Sequence, residues 1–174
     1  IFFGVDYHTH LGAKRGGMAI FDSETGFKRQ IHSIETTPFR TKFEDDLKDF
    51  HGNSGIGCIS DTDPQPLLVR SHLGLFAVAT VGVINNAEAL VEQYFTGQGR
   101  QFMAMSSGAV NASELVAALI NLKEDLVSGI RYALRYLPLT VENRMKHQCF
   151  HILGVKYTVN RGVTGILFIN KNSL

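Results

Sequence analysis

The stretch Gly55–Leu90, GIGCISDTDPQPLLVRSHLGLFAVATVGVINNAEAL, constrains the fold more tightly than any other part of the chain. Ile56 opens a short apolar run. From Asp61 to Pro66 two prolines and two aspartates break it. Proline has no amide donor and a fixed φ, so this segment reads as a loop. Leu67–Val69 and Leu75–Ala79 are strand-compatible runs separated by Ser71, His72 and Gly74. Gly82 and the Asn85–Asn86 pair then lead into a helix with Glu88 in its first turn, where the helix dipole favours an acid. Strand, loop, strand, tight turn and helix follow one another without a spacer.

Three frames within this stretch resemble the class II glutamine amidotransferases, most closely the glutaminase domain of amidophosphoribosyltransferase. That family carries Gly-Ile-Gly-His-Thr-Arg-Tyr-Ser, then Gln-Pro, then Ala-His-Asn-Gly-x-Leu-x-Asn before a helix. Here the frames read Gly55-Ile56-Gly57-Cys58-Ile59-Ser60-Asp61-Thr62, then Gln65-Pro66, then Ala79-Thr80-Val81-Gly82-Val83-Ile84-Asn85-Asn86. Upstream, the family's Leu-Gln-His-Arg-Gly matches the segment around Lys14-Arg15-Gly16, and a helix is expected before it. Downstream, Asn111-Ala112-Ser113-Glu114 matches a Ser-Asp-x-Glu segment. The resemblance covers roughly Gly4–Leu137. It implies an α+β fold: a four-layered αββα sandwich of two antiparallel sheets, of the N-terminal-nucleophile (Ntn) hydrolase type. The strand that carries the family's catalytic cysteine is expected before Ile1, outside this chain.

The positions that carry chemistry depart from the pattern. The family's nucleophile is an N-terminal cysteine whose own α-amine, titrating near neutral pH, acts as base; Ile1 supplies no nucleophile. The family's oxyanion hole pairs an Asn side chain with a Gly amide. Val81 replaces the Asn, while Gly82 retains the amide. Losing one such donor costs about 3 kcal/mol of transition-state stabilisation. Ser60 stands where an Arg holds the substrate α-carboxylate, and a neutral hydroxyl cannot rebuild a bidentate ion pair. Ala112 replaces the Asp that holds the α-amine, and Thr80 replaces the His of the His-Asn-Gly frame. Arg15, Cys58 and Asp61 are neighbouring pocket candidates. Each also has a structural reading: a loop anchor, a small core residue and a turn former. Gly82 reads equally as the glycine of a tight strand-to-helix connection.

Other motifs point elsewhere. Asp6-Tyr7-His8-Thr9-His10 after Phe-Phe-Gly-Val looks like a metal-hydrolase strand end, on which His8 and His10 would share a face. A barrel of that kind needs further ligands at later strand ends, and no such pattern follows. On a helix His147 and His151 would also share a face, but Gln148 occupies the general-base position of a zinc protease. Thr96–Arg100 reads as a glycine-rich loop without the Lys-Ser/Thr of a phosphate-binding loop.

Elsewhere, Met18–Phe21 and Phe27–Ile34 flank a hairpin turn at Ser23–Gly26. Phe43, Leu47 and Phe50 suit one face of a short helix with acids at its start. Asn111–Glu114 forms a capping box, and Asp125 caps a second helix that runs to Tyr136 and ends at Pro138. Val155–Val159 and Gly165–Ile169 are strand candidates. Two units are expected: the amidotransferase-like domain at 1–137, and strands at 138–174 that join the same domain.

At 174 residues, with 44% apolar content and a net charge of +1, the chain fits a globular domain and has no global field for nucleic acid or an anionic membrane. No apolar run reaches the roughly 20 residues of a membrane span. Cys58 and Cys149 show no paired spacing, which suggests a reducing, cytoplasmic compartment. The expected function is a glutaminase-type domain of an amidophosphoribosyltransferase-like protein of purine synthesis that has lost glutamine hydrolysis and acts structurally or in regulation. An active glutaminase with its cysteine before Ile1, and a metal-dependent hydrolase at His8 and His10, are the alternatives. Expected partners are a C-terminal phosphoribosyltransferase domain of the same protein, glutamine or a related small molecule, and a second copy of the chain. No cofactor is expected.

Overall fold

A computed structural model of the chain describes residues 1–81, 83–98, 102, 105–106, 108–137, 139–140, 151–153 and 165–170. Helix α1 (Phe2–His8) leads through a 3-10 turn (Thr9–Leu11) to Gly12, whose φ of 87° closes it. Strands β1 (Arg15–Asp22) and β2 (Gly26–Ser33) form the expected hairpin. Its turn is built by one oxygen: Asp22 Oδ1 accepts from Glu24 N–H at 2.9 Å, Thr25 N–H at 2.8 Å and the Thr25 hydroxyl at 3.1 Å. Next come α2 (Phe39–Phe43), β3 (Ser54–Ser60), β4 (Leu67–Ser71), β5 (Gly74–Val81), β6 (Val83–Ile84) and α3 (Ala87–Gln98). The chain continues with β7 (Met105–Ser106), β8 (Ala109–Val110), α4 (Ala112–Ile120), α5 (Leu126–Tyr136), β9 (Leu139–Thr140), β10 (His151–Leu153) and β11 (Gly165–Asn170).

Two larger antiparallel sheets result, ordered β10-β3-β1-β2 and β11-β5-β4, and two short two-stranded ladders, β6-β9 and β7-β8, stand beside them. Alternation along the strands sorts three apolar layers. Met18 and Ile59 face α1 and α2, where they meet Val5, Phe39 and Phe43. Ala19, Phe21, Ile56, Cys58, Ala77 and Ala79 fill the space between the sheets. Phe76 and Val78 face the other way, toward Leu115, Leu119, Ile120, Ile130 and Ala133 of α4 and α5. The order is therefore helices, sheet, sheet, helices, as expected for the αββα sandwich. The helix expected ahead of Arg15 is α1. It lies on bare backbone of β3: a Cβ on Gly57 would come within 2.4 Å of Val5 Cγ2 and 2.7 Å of Ile1 Cγ2.

Three local expectations are corrected. The short helix lies at Phe39–Phe43, followed by a separate 3-10 turn at Asp46–Lys48, and Leu47 is exposed rather than inward. Pro38 starts the helix with a pre-set φ of −54°, and the acids Glu44, Asp45 and Asp46 then oppose the negative end of its dipole. Phe39 and Phe43, one turn apart, stack at 4.3 Å and set the buried face. Second, α3 runs through Thr96–Gln98, so those residues of the expected glycine-rich loop are helical; Gly99 and Arg100 lie outside the described residues. Third, His151 lies in β10, paired with Gly57 of β3, and not on a helix; His147 and Cys149 lie outside the described residues, as does Val155–Val159. Among the described residues no helix is long and apolar enough to cross a membrane.

Candidate functional site

Strand register gathers the positions singled out by the sequence at one end of the sandwich. Arg15, the first residue of β1, pairs with Ser60, the last of β3. Thr80 is one residue from the end of β5, and Leu67, the first residue of β4, pairs with Val78. The loop from Asp61 to Pro66 connects β3 to β4 over this end, and its Gln65–Pro66 bond is cis. Ala112 opens α4 from the helical layer. Gly82 lies outside the described residues.

A buried polar chain ties these elements together. Gln65 points its side-chain carbonyl inward, where Oε1 accepts from the Thr80 amide at 2.8 Å. The Thr80 hydroxyl lies 2.8 Å from the Ser113 hydroxyl. Ser113 is held in turn by the N-cap of α4: Asn111 Oδ1 accepts from Ser113 N–H at 2.8 Å and Glu114 N–H at 3.2 Å. Asn111 and Ser113 are fully buried, and Gln65 and Thr80 nearly so. Buried amides and hydroxyls are tolerated only when paired, so each bond here holds its element in place. One group breaks the pattern: Asn111 Nδ2 is buried without a hydrogen-bond partner among the described residues. The loop is also clamped sterically. A Cβ on Gly17 of β1 would lie 1.8 Å from the Gln65 carbonyl oxygen, so only glycine lets the cis peptide rest on the strand.

The candidate residues differ in what they offer. Ser60 is buried, and its Oγ accepts from the Thr62 amide at 3.3 Å. Cys58 is buried in the layer between the sheets, where desolvation alone pushes its thiol up to about 12. A thiol of that kind is not a nucleophile at neutral pH. Arg15 and Asp61 are exposed at the rim. The linked residues Gln65, Thr80, Ser113 and Asn111 are neutral amides and hydroxyls, joined through their side chains and backbone amides. These four side chains can orient a neutral polar group and are themselves neither acids nor bases at neutral pH.

Sequence reasoning found Asn111 as a cap and Gln65-Pro66 as a frame, but not the Thr80–Ser113 contact between them. The available signal was a polar residue at the otherwise apolar end of β5 facing a serine in the first turn of α4.

The metal-hydrolase geometry is corrected. Asp6 and His8 lie in α1 and His10 in the following 3-10 turn, so His8 and His10 do not alternate on a strand. Their rings sit 6.3 Å apart, His10 Nδ1 bonds the Tyr7 carbonyl, and Asp6 is taken by Arg40 at 2.6 Å. Among the described residues no three His, Cys, Asp or Glu side chains group as metal ligands.

No protein-family model matches the sequence, and a comparison with curated proteins finds no match. Solved structures do match. Glutamine phosphoribosylpyrophosphate (PRPP) amidotransferase from B. subtilis, complexed with ADP and GMP, superposes with a TM-score of 0.65 at 24% identity, over 87% of this chain and 31% of that one. A structure described as the allosteric regulatory enzyme of purine biosynthesis gives a TM-score of 0.63 at 25% identity, again over 87% of this chain and 31% of that one. The chain thus spans under a third of these proteins, and it has the antiparallel α+β fold of Ntn-hydrolase type that they carry.

Proposed function

We propose that this chain is the glutaminase-type domain of an amidophosphoribosyltransferase-like protein of purine nucleotide biosynthesis. In this reading the domain does not hydrolyse glutamine, and it acts structurally or in regulation against a phosphoribosyltransferase domain of the same protein. The fold likeness to a PRPP amidotransferase, over 31% of that chain, supports the family and the presence of a larger partner unit. The observation that carries the loss of activity is the neutrality of the Gln65–Thr80–Ser113–Asn111 chain, with Ser60 and Ala112 at the two positions where the resemblance expects charged partners.

Glutamine is a zwitterion, and a site that excludes water must pair both of its charges. An unpaired buried charge costs several kcal/mol. By the resemblance Ser60 faces the α-carboxylate and Ala112 the α-ammonium; one is a hydroxyl already bonded to Thr62 and the other a methyl. Val81 offers no side-chain donor to an oxyanion. Cys58 cannot stand in for the nucleophile, because burial keeps its thiol protonated.

The test is glutamate release from glutamine by the purified protein, with thermal denaturation in the presence and absence of glutamine. The expected result is no turnover and no rise in Tm. Turnover that a cysteine-directed glutamine analogue abolishes would overturn the proposal.

A further inference from the structure

We propose that the cleft between the β1–β2 and β4–β5 hairpins, at the end of the sandwich away from Thr80, binds a free α-amino acid with an apolar side chain. The cleft has a volume of about 540 Å³, within the roughly 300–1,000 Å³ of small-molecule sites. Its walls come from both sheets, with Phe21 and Phe27 from one hairpin and Leu75 from the other. The two phenyl rings lie 4.9 Å apart, inclined at 52°, and form an aromatic floor continuous with the layer between the sheets.

The rim carries one charge of each sign, on opposite jaws. Arg70 projects from β4 and Glu24 from the β1–β2 turn. Both are exposed, and neither forms an ion pair among the described residues. Two neighbouring polar groups take part in local turns. Asp22 turns Oδ1 to three donors from Thr25 and Glu24 inside its own turn, which hold its carboxyl below the usual range. The Ser71 hydroxyl accepts from Leu73 N–H at 3.1 Å, which leaves its own proton to donate beside Arg70. A lone anion would be drawn by Arg70 and repelled by Glu24, and a lone cation the reverse. A zwitterion satisfies both: carboxylate on Arg70 and Ser71, ammonium on Glu24, side chain over the phenyl floor. The proposal does not depend on the glutaminase reading, which concerns the other end of the strands.

The test uses calorimetric titration of the intact chain with L-phenylalanine, phenylacetate and phenethylamine, the last two each lacking one charge. L-phenylalanine should bind with a Kd on the order of 1 mM, at least tenfold tighter than either analogue. Arg70→Gln and Glu24→Gln, both at exposed positions, should each weaken L-phenylalanine at least tenfold and abolish its advantage over the analogue lacking the matching charge. The proposal is overturned if 10-fold excess over that Kd gives no heat, if phenylacetate binds as tightly as L-phenylalanine, or if both variants, folded by circular dichroism, bind unchanged.

Discussion

Replacing Thr80 by valine removes one oxygen from the buried chain of hydrogen bonds and keeps the shape of the side chain. In the wild type the Thr80 and Ser113 hydroxyls satisfy each other at 2.8 Å, with Ser113 fully buried and Thr80 nearly so. Thr80→Val therefore leaves Ser113 without its side-chain partner, and Ser113→Ala does the same to Thr80. Each orphaned hydroxyl costs about 1–3 kcal/mol. The double variant Thr80→Val/Ser113→Ala removes both polar groups, so its cost falls short of the sum of the single changes by about 0.5–3 kcal/mol. The Thr80 amide bond to Gln65 and the Asn111 cap on Ser113 N–H involve backbone donors and survive in all three proteins. Urea unfolding followed by circular dichroism measures the four free energies; a single loss of 1 kcal/mol lowers Tm by about 2–4 °C in a domain of this size. Strictly additive losses, within about 0.5 kcal/mol, would mean that the two hydroxyls do not depend on each other, and the reasoning about the site would be wrong.

Other perturbations probe the same architecture. Gly17→Ala drives a methyl into the Gln65 carbonyl, 1.8 Å from its ideal position, and should displace the 61–66 loop at a cost of about 3 kcal/mol or more, seen as a lowered urea midpoint. Asn111→Ala strips the cap from α4 and should cost about 1–2 kcal/mol, whereas Asn111→Ser should recover most of it; equal losses would show that the cap carries no stability. Cys58 should resist alkylation in the native protein at pH 8 and react once the chain is denatured, as read by mass spectrometry of the Cys58 peptide. Because burial raises its thiol from 9.0 to about 12, the folded state holds a proton that the unfolded state releases above pH 9. Its contribution to stability is therefore complete below pH 9 and is lost as pH rises toward 12, so Cys58→Ala should flatten the fall of stability in that window. No difference between the two pH profiles would exclude this titration.

The legible parts of the sequence were those fixed by neighbours a few residues away. Asn111 and Asp125 announce helix starts because their side chains reach amides two or three residues on, and both do so here. The Ser23–Gly26 turn, and the alternation that sends Ala77 and Ala79 one way and Phe76 and Val78 the other, are equally local. The misplaced helix before β3 shows the limit. Phe43, Leu47 and Phe50 have helical spacing, but the start imposed by Pro38 and the acids that follow decide where helix is stable. His8 and His10 lie in a helix and a 3-10 turn instead of a strand, and the side chains that seat this segment, Ile1 and Val5, rest on Gly55 and Gly57 some fifty residues away in sequence, a tertiary contact with no local signature. The site itself was half visible. Its frames could be read, yet Gln65 meets Thr80 across 15 residues and Thr80 meets Ser113 across 33, distances over which no periodicity operates.

The layer between the sheets has a gradient of side-chain size along the strands. Toward the loop end it is made of Gly17, Cys58 and Ala79; toward the hairpin end, of Ile56, Phe21 and Phe27. Glycine and alanine leave room for close approach at the loop end, and phenyl rings fill the space at the hairpin end. Bare backbone at Gly17 lets the cis peptide lie against β1, and Phe21 and Phe27 line the cleft at the other end. One layer thus serves both ends: enlarging Ala79 would crowd the end that the polar chain locks, and trimming Phe21 would strip a ring from the wall of the opposite cleft.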